Sequence, residues 1–505
     1  MMPLGVEAFG CKVARDMEEA VDGADVIIML RVQLERQNAS TPFPSNREYS
    51  KFFGLTKARV LLANDPLIMH PGPINRGVEV NSDVLEGDFN MVFNQVENGV
   101  AVRMANSKKA NILIENDKIV KITDEILEAD KIIDAKNMLV MPGLIDMHVH
   151  FRDPGYEYKD DINSGSECAV AGGVTTALPM ANTNPVNDNA AITRDMIQKA
   201  KKRGLIDLLP IGAISKSLKG EGITEMGDMI SAGAVAFSDD GLPVSSSDVM
   251  RAALEYSKHF GSFVISHCED CSMCRSGVMH EGKVSAILGL KGMAREKEEI
   301  MASRDMLLAK LTGGHIHIAH VSSEYSLKLI KRAKEDGINV TCEATPHHFS
   351  FTDECLMDYN TNFKMSPPLR EESDKLAIRN ALKDGLIDVI ATDHAPHNVD
   401  DKFTEFDKAS FGILGLQTLI PLTLKLVEED VINLNDMVRL TSFNPAKILN
   451  LKNKGEIKEG FLADIAIIDP NLEYMYDEFL NKSKSLNSPL LGKKLKGIAF
   501  TTIKS

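Results

Sequence analysis

Cysteine is scarce in this chain, with seven in 505 residues at irregular spacing. An odd, scattered set excludes a disulfide framework and reads as reduced thiols, which makes the cytoplasm the expected location. Cys271 and Cys274 form one CxxC, but no second pair accompanies them to complete a structural zinc site. No apolar run approaches the ~20 residues that span a bilayer. Met1 to Gly10 show no basic segment followed by an apolar core, so neither a membrane partner nor a secretory signal is expected. Positive charge is also short: 57 basic side chains face 72 acidic ones, a formal charge of −15. That balance excludes the basic patch of a nucleic-acid binder, although bound cations would still let an acidic protein hold an anionic substrate. Low-complexity segments and short repeats are absent.

What remains is an ordinary globular composition, 44% hydrophobic and 26% charged, on a length that suggests about three domains. Residues 1–105 mix helical periods with short apolar runs, and ADVIIML (24–30) reads as a buried strand. The polar break Asn106-Ser107-Lys108-Lys109 marks a linker. Between 108 and 141 the runs NILIEN, KIVKIT, KIIDA and MLVMP alternate as in a small β unit. The tail, 450–505, returns to β character, and GEIKEGFLADIAIID (455–469) reads as a hairpin-like pair. The two β segments are expected to join into one discontinuous domain.

Between them, in 142–449, eight short apolar runs alternate with helical stretches. The runs are 144–150, 173–180, 206–214, 233–240, 261–268, 314–321, 338–345 and 387–394. Residues 246–260 and 323–336 are examples of the amphipathic stretches between them. Eight such units predict an α/β fold of the (β/α)₈ TIM-barrel type. The doubly wound alternative would show a glycine-rich phosphate turn after its first strand, and none is present.

Ionisable residues cluster at the C-terminal ends of these runs, where such barrels carry active sites. The first run ends in His148 and His150, which share a face at i and i+2. Others end in Asp239-Asp240, His267, His320 and Asp393. Four imidazoles with carboxylates suit zinc or another first-row divalent ion. Six ligands exceed the needs of one open catalytic ion, so two ions sharing a bridging group fit better. Spacing alone leaves Asp239 and Asp240 as alternatives. His315 and His317 sit lower on their strand and read as core or ligand-supporting residues, while His347 and His348 either line the mouth or brace a loop.

Longer motifs carry a family resemblance. The stretch 142–155, PGLIDMHVHFRDPG, with PMANT (179–183), FSDDG (237–241), HCED (267–270), MHEG (279–282), HVS (320–322) and ATDHAPH (391–397), resembles bacterial-type dihydroorotases of the amidohydrolase superfamily. The resemblance spans about 108–500. It implies two zinc ions per subunit. His148, His150 and Asp393 would bind the first, His267 and His320 the second, and Asp240 would bridge. Asp393 would also be the catalytic base and acid. His150, Arg152, Asn182, His397, Phe411 and Gly412 match substrate-contacting positions. So does Ser366, where the family usually has asparagine; the shorter side chain keeps one hydrogen bond at most. The implied reaction is the reversible hydrolysis of dihydroorotate to N-carbamoyl-L-aspartate in pyrimidine synthesis. The rivals are another cyclic amidase, hydantoinase- or allantoinase-like, and an inactive scaffold.

The N-terminal segment resembles something else. LRVQLER (30–36), MHPGPINRG (69–77) and QVENGVAVRMA (95–105) resemble the last third of an aspartate carbamoyltransferase. There Arg31 and Gln33 would face aspartate, and Gly72 and Pro73 would lie near carbamoyl phosphate. The family's Ser-Thr-Arg-Thr phosphate motif does not occur in this sequence, so these four residues are expected to be vestigial. The resemblance implies a small-molecule substrate and, as protein partner, an aspartate carbamoyltransferase subunit or a second copy of the chain.

Overall fold

The computed structural model describes residues 14, 16–30, 46–64, 66–69, 78–85, 110–125, 128–273 and 276–505. The chain divides into two compact units, 1–109 and 110–505. In the first, strands β1 (Val26–Ile28) and β2 (Leu67–Met69) pair in parallel. They pack with short helices around Val21, Ile27, Leu55, Val60, Ile68 and Val84. The expected buried strand at 24–30 is shorter and one-sided: Ile27 is buried, whereas Val26 and Ile28 are exposed. Period-2 alternation on a two-stranded sheet leaves every second side chain without a cover. Arg31, Gln33, Gly72 and Pro73 lie outside the described residues, as does Cys274.

The second unit opens with an antiparallel hairpin, β3 (Asn111–Glu115) and β4 (Lys118–Thr123), followed by β5 (Leu139–Pro142). KIIDA is not a strand; residues 131–135 run as irregular chain. Eight parallel barrel strands follow. They are β6 (Leu144–Val149), β7 (Val174–Pro179), the broken third strand β8 (Asp207–Leu208) with β9 (Ile211–Gly212), β10 (Ala236–Phe237) and β11 (Val264–Ser266). A side pair, β12 (Met279–His280) and β13 (Gly292–Met293), interrupts before β14 (Ile316–Ile318), β15 (Val340–Ala344) and β16 (Val389–Ile390). Pro210 lies in the gap between β8 and β9, where it cannot donate to a ladder. Each strand neighbours the next. The ring closes where Val149 bridges His394 in parallel and the His150 amide donates to the His394 carbonyl at 2.8 Å.

Two apolar layers explain why these runs form strands. Ile145, Met147, Leu178, Ile211, Ala236, Ile265, Ala319 and Val389 meet inside the ring. Alternate residues such as Val264, Ile316, Ile318, Val340, Cys342 and Ile390 pack outward on helix residues including Met250, Leu254, Met301, Leu327 and Ile378. The helices follow their sequence punctuation. Asp161 caps Ile162–Ala171 with a capping box. Asn189 caps Ala190–Arg203, which ends at Gly204 with φ 68°, a left-handed stop that glycine adopts without strain.

The β segments before and after the barrel share one sheet, with pairing that differs from the expected hairpin. GEIKEGFLADIAIID is not a local hairpin. Only its end enters β17 (Ile465–Tyr476), which lies between β5 and β18 (Lys493–Ile503), antiparallel to both. Ile119, Ala463, Ile465 and Ile467 form its core.

Truncation inside the barrel wall should be costly and truncation outside it cheap. Ile316→Ala, at a fully buried site, should cost about 2–5 kcal/mol. Leu307→Ala, at a site 62% exposed, should change stability by less than about 0.5 kcal/mol. Urea midpoints of the two variants check this contrast.

Candidate metal centre and substrate cavity

The strand ends deliver their polar side chains to one point. A register shift in β6 between Asp146 and Val149 spans the inward-packed Met147. Bulges of this kind re-aim side chains. His148 Nε2 comes to 3.3 Å from Asp240 Oδ1 and 3.5 Å from Asp393 Oδ1. His150 Nε2 lies 3.4 Å from Asp240 Oδ2 and 3.1 Å from Asp393 Oδ1. On the other side, His267 Nδ1 and His320 Nε2 are 3.3 and 3.6 Å from Asp240 Oδ1 and 2.8 Å from each other. Two groups of metal-ligand spacing result, His148–His150–Asp240 and Asp240–His267–His320, with every member buried and Asp240 common to both.

The donor set can be tested for fit. His148 Nε2 and Asp240 Oδ1 have no hydrogen-bond partner among the described residues. Meanwhile the outer nitrogens of three imidazoles are committed. His148 Nδ1 meets Glu343 at 2.7 Å, His150 Nδ1 meets Asn182 Oδ1 at 2.9 Å, and His267 Nε2 meets Glu269 at 3.0 Å. Each of these partners accepts hydrogen, so each ring turns an unprotonated nitrogen inward. Lone pairs thus face lone pairs and carboxylate oxygens, an arrangement suited to a pair of divalent cations. Burial would raise the Asp240 carboxyl; His148, with His267 and His320, holds it well below the usual range. Burial and then His148 and His150 act likewise on Asp393, with a net lowering.

The structure separates the two neighbouring aspartates. Asp239 turns away and accepts from the Ile214 amide at 2.7 Å, the Ser215 amide at 3.0 Å and the Ser215 hydroxyl. It fixes the loop after the third strand, which leaves Asp240 for the centre. His348 braces a loop, bonding Thr345 Oγ1 at 2.7 Å and the Pro367 carbonyl at 3.0 Å. His317 supports the centre through Glu343 rather than entering it.

Beside the centre lies a cavity of about 400 Å³. His150, Arg152, Asn182, Ser366, His397, Phe411 and Gly412 all line it, together with Asp240, His267 and Asp393. Arg152 is held by Nε to the Pro396 carbonyl at 3.2 Å and Nη2 to His397 Nε2 at 3.3 Å. Burial first, then Arg152, pushes the His397 imidazole down to about 2, so it is neutral at working pH. Ser366 Oγ reaches Glu269 Oε2 at 3.2 Å. Gly412 has φ 141°, and a Cβ there would stand 2.8 Å from Ala395 Cβ. The position therefore demands glycine.

Several residues of this region were not singled out by the sequence. Lys297 and Glu269 line the cavity as an ion pair. Asn487, between β17 and β18, accepts from the His397 amide at 3.0 Å and donates to the Ala395 and Gly412 carbonyls at 2.9 and 3.2 Å. Glu343 was visible only as a lone carboxylate within the apolar run INVTCEAT. Glu269, two residues after His267, carried the better signal.

Comparison with known proteins agrees with this geometry. Residues 139–494 match the amidohydrolase family, and residues 9–106 match the Asp/Orn-binding domain of aspartate/ornithine carbamoyltransferases. A dihydroorotase of Geobacter metallireducens is 50% identical over 395 residues, covering 78% of this chain and 93% of that protein. One from Citrifermentans bemidjiense is 51% identical over 376 residues, 74% and 88% of the two chains. Among solved structures, the L-hydantoinase (dihydropyrimidinase) of Arthrobacter aurescens superposes with a TM-score of 0.71 at 26% identity, over 79% of this chain and 93% of that one. The chain belongs to the amidohydrolase family, among the dihydroorotases.

Proposed function

We propose that the barrel opens and closes the ring amide of dihydroorotate, with N-carbamoyl-L-aspartate as the open form, on a pair of zinc ions. The observation that carries this reading is the shared Asp240 between two ligand groups, beside a cavity whose wall includes a guanidinium. His148, His150 and Asp393 would hold one ion and His267 and His320 the other, bridged by Asp240. Two such cations lower the pKa of water and polarise a carbonyl oxygen.

The chain's own groups supply the rest. Asp393, kept ionised, takes the proton of the attacking water and passes it to the departing ring nitrogen, then reverses the transfer on ring closure. Arg152 offers its planar fork to the substrate carboxylate. Neutral His397 adds no charge of its own beside Arg152 and offers the ring a hydrogen bond. Asn182 orients His150 and faces the cavity. Ser366, Phe411 and Gly412 complete the wall.

Other features support the setting. Cys168, Cys268, Cys342 and Cys355 are free thiols, in keeping with a cytoplasmic enzyme. No helix among the described residues is long and apolar enough to cross a membrane. The carbamoyltransferase match of residues 9–106 supports work beside the preceding biosynthetic step.

Chelation should abolish dihydroorotate hydrolysis, and two equivalents of zinc should restore it; full activity in the chelated protein, verified metal-free by elemental analysis, would sink the reading. At saturating zinc, Asp393→Ala should lower kcat by about 10²–10⁴-fold. A near-wild-type rate would remove Asp393 from the reaction. Arg152→Ala should lower kcat/KM for dihydroorotate by about 10–100-fold, the worth of a hydrogen-bonded charge. It should leave dihydrouracil, which lacks the carboxylate, within about threefold; an equal loss on both substrates would separate Arg152 from carboxylate recognition.

A further inference from the structure

The barrel interior carries one polar seam that the reaction itself does not use. Beside the aliphatic interior, β15 contributes Thr341 and Glu343, and β14 contributes His317, which joins them. Glu343 is fully buried. Its Oε1 receives His148 Nδ1 at 2.7 Å and the His320 backbone amide at 3.3 Å. Its Oε2 receives His317 Nε2 at 3.1 Å. The seam then continues downward. His317 Nδ1 and His315 Nε2 both lie 2.8 Å from Thr341 Oγ1, and His315 is only half-buried.

Donor and acceptor chemistry fixes the direction of the links to Glu343. A carboxylate only accepts. His148 must therefore carry a hydrogen on Nδ1, and His317 one on Nε2. Thr341 Oγ1, which can both donate and accept, links His317 Nδ1 to His315 Nε2. One consequence reaches the metal centre directly: with Nδ1 protonated, His148 Nε2 is the free lone pair. The second concerns His320, which has φ 31°, a left-handed value costly for a residue with a Cβ. Glu343 holds the amide of that strained residue. A single carboxylate thus orients one ligand from each of the two groups.

We infer that Glu343 is a positioning residue for both halves of the metal centre, fixing the His148 tautomer and pinning the His320 backbone. The Thr341–His317 seam holds it in place. This rests on the metal reading proposed above. In Glu343→Gln, one oxygen becomes an amide nitrogen that donates. Either His148 or His317 then faces a donor and must turn its tautomer, and if His148 turns, Nε2 is protonated and cannot bind metal. Thr341→Val leaves Glu343 intact but removes the hydroxyl that anchors His317 Nδ1, and so loosens the imidazole that holds Glu343 Oε2.

The test uses the full chain stripped by chelation. Zinc is titrated in competition with a chromophoric chelator, and cobalt(II) is added separately to read the visible ligand-field bands. Glu343→Gln should bind zinc about 10–100-fold more weakly than wild type, the usual effect of losing a ligand's orienting partner. Its cobalt bands should shift, while the stripped variant keeps the far-UV spectrum of stripped wild type. Thr341→Val should lose about 2–10-fold, a smaller effect in the same direction, with the loosened His317 support of Glu343 as its cause. Zinc affinity within twofold of wild type and unchanged cobalt bands in Glu343→Gln would overturn the inference. If Glu343→Gln does not fold, wild-type affinity in Thr341→Val overturns it instead. Wild-type protein that binds no zinc would fail at the earlier step, the metal reading itself.

Discussion

Everything in the barrel mouth depends on concentrating imidazole nitrogens and carboxylate oxygens at one point, where His148 Nε2 and Asp240 Oδ1 have no hydrogen-bond partner among the described residues. Asp240 presents its carboxylate to His148, His150, His267 and His320 within 3.3–3.6 Å. Asp393 adds a second carboxylate at 3.1 Å from His150. Burying such groups is expensive unless opposite charge compensates them. The outer hydrogen bonds to Glu343, Asn182 and Glu269 turn the imidazole lone pairs inward. Bound metal is the compensation that this chemistry calls for, and it is why the site, rather than the fold, specifies the function.

The scaffold bears the strain that this concentration requires. Arg152, His320 and Asp393 adopt left-handed φ values of 60°, 31° and 49°. Each belongs to the centre or to the cavity beside it. Such conformations cost on the order of 1–3 kcal/mol apiece and persist where surroundings over-determine them. Asp146 shows how. Its carboxylate, between strands one and eight, accepts from the Thr392 amide at 3.1 Å, the Thr392 hydroxyl at 2.5 Å and the His148 amide at 3.2 Å. The bond that closes the barrel therefore also sets the backbone from which His148 and Asp393 project.

Legibility in the sequence followed periodicity and position. The eight strands were readable because each is a short apolar run followed by a helical pattern, and His148 with His150 was readable from the i, i+2 rule. KIIDA and the 455–469 segment misled because short apolar runs take strand form only where a partner edge is free. β17 found its partners in β5 and β18, one of them more than three hundred residues away in sequence. Asn487 was unreadable for the same reason. An asparagine in a polar connection gives no sign that it will support the backbone of His397 and Gly412.

By itself, the sequence determined the kind of fold, the ligand types and the face of the barrel they occupy, since these follow from local alternation and from which residues end each strand. Strand-end spacing left Asp239 and Asp240 as alternatives and the family resemblance favoured Asp240; only the tertiary structure showed why, since Asp239 is taken up by the loop after the third strand. It also decided which nitrogen each histidine turns inward, and that Glu343 joins ligands from two strands. Those outcomes depend on distances and hydrogen-bond directions between residues remote in the chain. Such relations exist only once the ring has closed.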